Sequence, residues 1–143
     1  MADLLIVEDD PALRDGMLEL LSIKGHQVRS ADSGLAALPA IEARRPELII
    51  SDVIMPGLTG PQLLEAVRDR SEWHDIPFLF VSASTTAEIE RQLDSTHRVS
   101  FLRKPFDIDT LFYAVLQALR DHPVGIDTQV RAQGISSQPP PYC

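Results

Sequence analysis

Five short apolar runs punctuate the chain: Leu4-Leu5-Ile6-Val7, a weaker one around Gln27-Val28-Arg29, Leu48-Ile49-Ile50, Phe78-Leu79-Phe80-Val81, and Val99-Ser100-Phe101-Leu102. Three are nearly continuous in apolar residues, the pattern of strands covered on both faces of a sheet. Between the runs, apolar residues recur at helical spacing. Asp10 is placed to cap a first helix with Pro11 at its first position; Leu13, Met17, Leu20 and Leu21 follow on one side, and Gly25 ends it. Ser33 caps a second helix with a stripe of Leu35, Leu38 and Ile41, which Pro39 is expected to kink or shorten. Thr59 and Gln62 make a capping box for a third, burying Leu63, Leu64 and Val67. Thr85 and Glu88 repeat the box for a fourth, whose stripe is only Ile89 and Leu93. Asp107 caps a fifth, where Ile108, Leu111, Phe112, Val115, Leu116 and Leu119 give the cleanest helical period.

Strand and helix therefore alternate five times. That order predicts an α/β fold: one doubly wound, five-stranded parallel sheet with five helices on its two faces. The character changes near Asp121. Of the 21 residues from Pro123 to Cys143, eleven are Pro, Gly, Ser or Gln. Such a stretch buries too little apolar area to offset its ordering entropy. The expected division is a domain over residues 1–121 and a flexible tail or interdomain linker over 122–143.

Composition narrows the function. The chain has 143 residues, 44% of them apolar and 24% charged, enough for one core. With 13 Lys and Arg against 21 Asp and Glu, the net charge is −8, which disfavours direct binding to nucleic acid. No apolar run approaches a membrane span. The start of the chain carries acids rather than the basic lead of a secretion signal, and Cys143 is the one cysteine, so a soluble cytoplasmic protein is expected.

In open α/β sheets, ligands bind at the carboxyl ends of the strands. Glu8, Asp9 and Asp10 follow the first strand, Asp52 the third, Ser82 the fourth, and Lys104-Pro105 the fifth. Carboxylates gathered at one edge repel unless a cation intervenes. A hard divalent ion with oxygen ligands, Mg2+ above all, resolves this. Mg2+ beside a carboxylate nucleophile, a lysine and a hydroxyl suits phosphoryl transfer.

The segments Leu4-Leu5-Ile6-Val7-Glu8-Asp9-Asp10, Ile50-Ser51-Asp52-Val53-Ile54-Met55-Pro56-Gly57, Phe80-Val81-Ser82-Ala83 and Phe101-Leu102-Arg103-Lys104-Pro105-Phe106 resemble the receiver domain of two-component response regulators, over about residues 3–121. The resemblance implies a flavodoxin-like strand order, 2-1-3-4-5. It implies that Asp52 accepts a phosphoryl group from a sensor histidine kinase or histidine phosphotransfer protein. Mg2+ would be held by Asp9, by Glu8 through water, by Asp52 and by the backbone carbonyl of Ile54. Lys104, on a cis peptide to Pro105, and Ser82 would engage the phosphoryl group. Phe101 would rotate inward behind Ser82, changing the face made by the fourth helix, fifth strand and fifth helix. That face would control a downstream protein or an attached output domain, and a phosphorylation-dependent homodimer is compatible with it. Phe101 stands where many relatives have Tyr, Asp94-Ser95-Thr96-His97-Arg98 replaces the usual small turn before the fifth strand, and Ile54 and Ser84 occupy positions that tend to set the phosphoryl lifetime.

Other readings are weaker. Asp10 serves as a helix cap rather than a ligand. His26, His74, His97 and His122 lack metal-ligand spacing and are expected at the surface; Trp73 is expected to pin the polar loop around it. A phosphatase of the haloacid-dehalogenase type needs an acid two residues after its nucleophile, where this chain has Ile54. A flavodoxin-like nucleotide site would set phosphate against crowded carboxylates.

Overall fold

The computed structural model describes residues 2–83 and 98–120. The expected fourth helix over 85–93, Ser84 and the expected tail over 122–143 lie outside these residues. The described elements are β1 (Asp3–Val7), α1 (Pro11–Ile23), β2 (Gln27–Ala31), α2 (Gly34–Ala43), β3 (Leu48–Asp52), α3 (Gly60–Arg68), β4 (Phe78–Ser82), β5 (Val99–Arg103) and α4 (Ile108–Arg120), the last being the helix expected fifth.

All strand pairs are parallel, in the order β2-β1-β3-β4-β5. The chain first steps outward from β1 to β2 and then crosses back to β3, so the order reverses between β1 and β3. The register brings the strand ends level: Val7 pairs with Ala31 and Ser51, Asp52 with Val81, and Ser82 with Arg103.

Alternation along the strands divides the core in two. Leu5, Val7, Ile49, Phe78 and Phe80 face α2 and α3, meeting Ala37, Ile41, Leu63, Leu64 and Val67. Leu4, Ile6, Ile50, Leu79 and Val81 face α1 and α4, meeting Met17, Leu21, Leu111, Val115 and Ala118. Burial on both faces is why β3 and β4 read as unbroken apolar runs, while β2, at the edge, is exposed along much of its length. Among the described residues no helix is long and apolar enough to cross a membrane.

The helix ends follow local chemistry. Asp10 accepts from the Ala12 N–H at 3.0 Å, Ser33 from Ala36 at 3.0 Å, and Asp107 from Thr110 at 2.8 Å. Thr59 and Gln62 form the full reciprocal box, at 3.3 and 2.9 Å. Gly25 follows α1 at φ +98°, where a side chain would be strained.

Two stripes differ from expectation. In α2, Ile41 is buried as expected and Leu38 half-buried, but Leu35 is 64% exposed, with Gly34 and Ala37 buried in its place. Gly34 packs so closely on the Leu58 carbonyl that a Cβ there would lie 2.8 Å from its oxygen; this contact turns Leu35 outward. Pro39 does not end the helix, which runs on to Ala43. The carbonyl that Pro39 leaves without a helical donor belongs to exposed Leu35, where water can serve it. In α4, Ile108 and Leu116 are exposed and Ala118 is buried. Trp73 is buried in the first core with the Arg70 guanidinium over its ring at 4.0 Å, and its carbonyl accepts from Ile76, so it ties down the turn before β4. His26 is half-buried, its Nδ1 accepting from the Ala2 N–H at 3.1 Å.

The Thr59 cap starts α3 just beyond the loop that leaves Asp52. Thr59→Ala is expected to lower unfolding stability by roughly 1 kcal/mol, read by urea denaturation, with Thr59→Ser retaining most of it. Equal midpoints for Thr59→Ala and the parent would show that the cap contributes nothing.

Candidate functional site

Glu8 lies one residue past β1, yet its N–H still donates to the Ala31 carbonyl at 3.1 Å, which keeps it at the sheet edge. Its side chain is only 1% exposed. One oxygen, Oε2, accepts from the Asp10 N–H at 3.2 Å. Its carbonyl oxygen accepts from Nη1 of Arg14 at 2.9 Å. Asp9, next in the chain, is exposed.

Asp52 ends β3 and is largely buried. Its Oδ1 accepts from the Ile54 N–H at 3.4 Å, and its Oδ2 from the Lys104 ammonium at 3.2 Å. The same ammonium is 3.5 Å from Glu8 Oε1. Lys104 leaves β5 through a backbone bond to the Ser82 carbonyl and precedes a cis peptide to Pro105. Phe106 then packs into the second core.

The fold thus gathers Glu8, Asp9, Asp52 and Lys104 from three strand ends. Carboxylate oxygens of Glu8, Asp9 and Asp52 lie within 4.8 Å of one another. Ser82 is buried at the end of β4, one residue beyond the Val81 that pairs with Asp52. Phe101 does not join the polar cluster. It is half-buried in the first core, stacked on Phe80 with ring centroids 5.9 Å apart. Ile54 is 58% exposed.

Electrostatics follow from this crowding. Burial first, and then the like charge of Asp52, push the Glu8 carboxyl up to about 7, against the pull of the Asp10 N–H and of Lys104. One ammonium does not neutralise three carboxylates. Glu8 Oε1 is buried and accepts no hydrogen bond. A buried oxygen lacking a donor, in a donor set made wholly of carboxylates, fits a hard divalent cation.

Three further residues shape the site. Ser51 is buried and donates to the Asp52 carbonyl at 2.8 Å; the visible signal was a hydroxyl closing an apolar strand. Gly60 opens α3 against the same carbonyl. A Cβ there would collide with the Asp52 oxygen and lie 2.8 Å from Phe80 Cε1. Its spacing from Asp52 carries no local signal, because the contact forms only when α3 packs down. Arg14 reads as an ordinary helical arginine.

An acidic pocket at the reversal point of a 2-1-3-4-5 sheet, with an aspartate paired to a lysine from the far strand, lies where open α/β sheets bind their ligands. Residues 4–116 match the model of the response regulator receiver domain, and the chain belongs to that family. Receiver domains are signalling modules of two-component systems. The chain is 37% identical over 120 residues to the sensor kinase CckA of Brucella abortus, covering 82% of this chain and 12% of that protein. It is 37% identical over 112 residues to the response regulator FleR of Pseudomonas aeruginosa, covering 77% and 23%. Among solved structures, the chemotaxis protein CheY4 of Vibrio cholerae superposes with a TM-score of 0.78 at 31% identity, covering 82% of this chain and 98% of that one. The chain spans less than a quarter of the length of these two curated relatives.

Two outcomes follow from the packing. Without a divalent ion, the raised Glu8 carboxyl opposes folding at high pH. Below about 4.5 the group is protonated in both states; between 4.5 and about 7 the unfolded chain releases the proton while the folded one keeps it. Stability therefore falls as pH rises through that window, by on the order of 3 kcal/mol once complete. In chelator, Glu8→Gln should unfold at higher denaturant than the parent at pH 8 and at the same denaturant at pH 4; parallel pH curves for the two would contradict this origin. Gly60→Ala should lose roughly 1–3 kcal/mol to overpacking, measured by thermal unfolding; a Tm equal to the parent's would mean that α3 shifts freely.

Proposed function

We propose that this receiver domain takes a phosphoryl group from a phosphohistidine onto Asp52 and uses it to change the surface beyond β4 and β5. The convergence of Asp52, Lys104, Glu8 and Asp9 carries this reading. Asp52 Oδ attacks phosphorus, the phosphorus–nitrogen bond breaks, and its electron pair returns to the imidazole of the donor. Glu8, Asp9, Asp52 and the Ile54 carbonyl would hold Mg2+, which supplies neutralisation of the charge on the phosphoryl oxygens. The domain contributes this catalysis itself; the donor, a sensor histidine kinase or histidine phosphotransfer protein, contributes the phosphohistidine.

The new group brings about −1.5 to −2 charges and three acceptor oxygens. Lys104 exchanges its ion pair with the Asp52 carboxylate for a phosphoryl oxygen, and the Ser82 hydroxyl donates to another. A ligand shifts an equilibrium only through differential affinity. Here the differential lies in Lys104 and Ser82, which gain partners only by moving. Movement of Ser82 makes room behind it for Phe101, whose ring stands at the end of a stack with Phe80. The altered face, made by the expected fourth helix, β5 and α4, would act on a downstream protein or an attached output domain. A cytoplasmic location fits a phosphohistidine donor.

Incubation with Mg2+ and a small acyl phosphate should add one phosphoryl group, about 80 Da by intact mass. Asp52→Asn should gain nothing, and chelation should stop the gain in the parent. Label persisting in Asp52→Asn would place the acceptor elsewhere.

A further inference from the structure

Arg14 takes no part in the phosphoryl chemistry proposed for this pocket, yet it is bonded to the turn that carries two of the acids. In a strand, successive side chains point to opposite faces. Glu8 and Asp9 are neighbours, one buried and one exposed, and still bring carboxylate oxygens within 4.8 Å of each other and of Asp52. The backbone must therefore leave strand geometry at Glu8 and be held there.

The bonds that hold it differ in kind. The Glu8 N–H donates to Ala31 at 3.1 Å, as the last rung of the sheet. The Asp10 N–H donates to Glu8 Oε2 at 3.2 Å, so this bond runs through a carboxylate and competes with any cation for it. Arg14, half-buried in the first turns of α1, donates from Nη1 to the Glu8 backbone carbonyl at 2.9 Å. That bond engages no carboxylate and persists whatever Glu8 and Asp9 ligate. Its own helix is anchored on the same turn, since the Arg14 N–H donates to the Asp10 carbonyl at 2.9 Å.

We propose that Arg14 is a positioning residue of the cation site, fixing the Glu8–Asp9 peptide so that both carboxylates converge with Asp52. The inference rests on the reading of this pocket as the Mg2+-dependent phosphoacceptor site. Two effects of removing Arg14 oppose each other. Loss of a nearby positive charge would favour cation binding, whereas loss of the peptide anchor weakens it. The guanidinium is bonded to the peptide and not to either carboxylate, and, half-buried, it is screened by solvent, so the anchor prevails.

The test is calorimetric titration of Mg2+ alone into the metal-free chain. Arg14→Met should bind Mg2+ about tenfold more weakly, and Arg14→Gln, too short to reach the carbonyl, should weaken likewise. Arg14→Lys, which keeps the stem and a donor, should recover part of the loss. The ratio of variant to parent Kd should hold from low to high KCl, because a positional effect is not screened. In labelling with a small acyl phosphate, the Mg2+ needed for half-maximal rate should rise by the same factor while the rate at saturating Mg2+ falls less than about twofold. Unfolding curves in metal-free buffer accompany each variant, and Arg14→Gln carries the comparison if Arg14→Met does not fold. Unchanged or tighter Mg2+ binding by folded Arg14→Met or Arg14→Gln overturns the inference and leaves the Asp52 reading intact. A parent chain that neither binds Mg2+ nor gains a phosphoryl group overturns both.

Discussion

Three carboxylates share one edge of the sheet with a single ammonium, and that imbalance governs the rest of the structure. Lys104 is 3.2 Å from Asp52 and 3.5 Å from Glu8, so it divides one charge between two acids. The third acid, Asp9, stays in solvent. Such a pocket is held together against its own repulsion by what lies beneath it. Three adjacent buried strands, β1, β3 and β4, with the half-buried β5 beside them, fix the strand ends so that Glu8, Asp52, Ser82 and Lys104 cannot drift apart. Core packing at the density of organic crystals resists small displacements, which is how apolar burial sustains an electrostatically unfavourable arrangement.

The same packing ties Asp52 to the elements around it. The Asp52 carbonyl is clasped by the Ser51 hydroxyl and overlain by Gly60 at the start of α3. Phe80 lies against Gly60, stacks on Phe101 and tilts against Phe78 at 5.4 Å. Phe101 is thus one end of a packed aromatic row that runs back along β4 to its first residue, where Arg68 covers Phe78 at 5.5 Å. An aromatic side chain moving at β5 alters contacts along that row as well as at the surface. The absence of a hydroxyl on Phe101 confines its influence to shape and packing.

Much of this was legible along the chain. The five strands, the caps at Asp10, Ser33, Thr59 and Asp107, and the grouping of Glu8, Asp9, Asp52 and Lys104 follow from local pattern and from the rule that strand ends carry sites. What local pattern missed depends on partners distant in sequence. Leu35 reads as core and is exposed, because Gly34 seats α2 on the Leu58 carbonyl. Ile108 and Leu116 fit the helical period of α4 but sit outside the arc that the second core covers. Ser51, Gly60 and Arg14 gain their roles only through contacts with the turn and strand end they support.

The sequence by itself determined the fold class, the alternation of strand and helix and the chemical types available at the sheet edge, since these rest on periodicity, capping and residue identity, which act over a few neighbours. Only the tertiary structure decided the protonation tendency of Glu8, the pairing of Lys104 with Asp52 across 52 residues, and the clasp around the Asp52 carbonyl. Charge interaction, desolvation and steric exclusion depend on distances through space, and those exist only once the sheet has closed its register and the helices have packed against it.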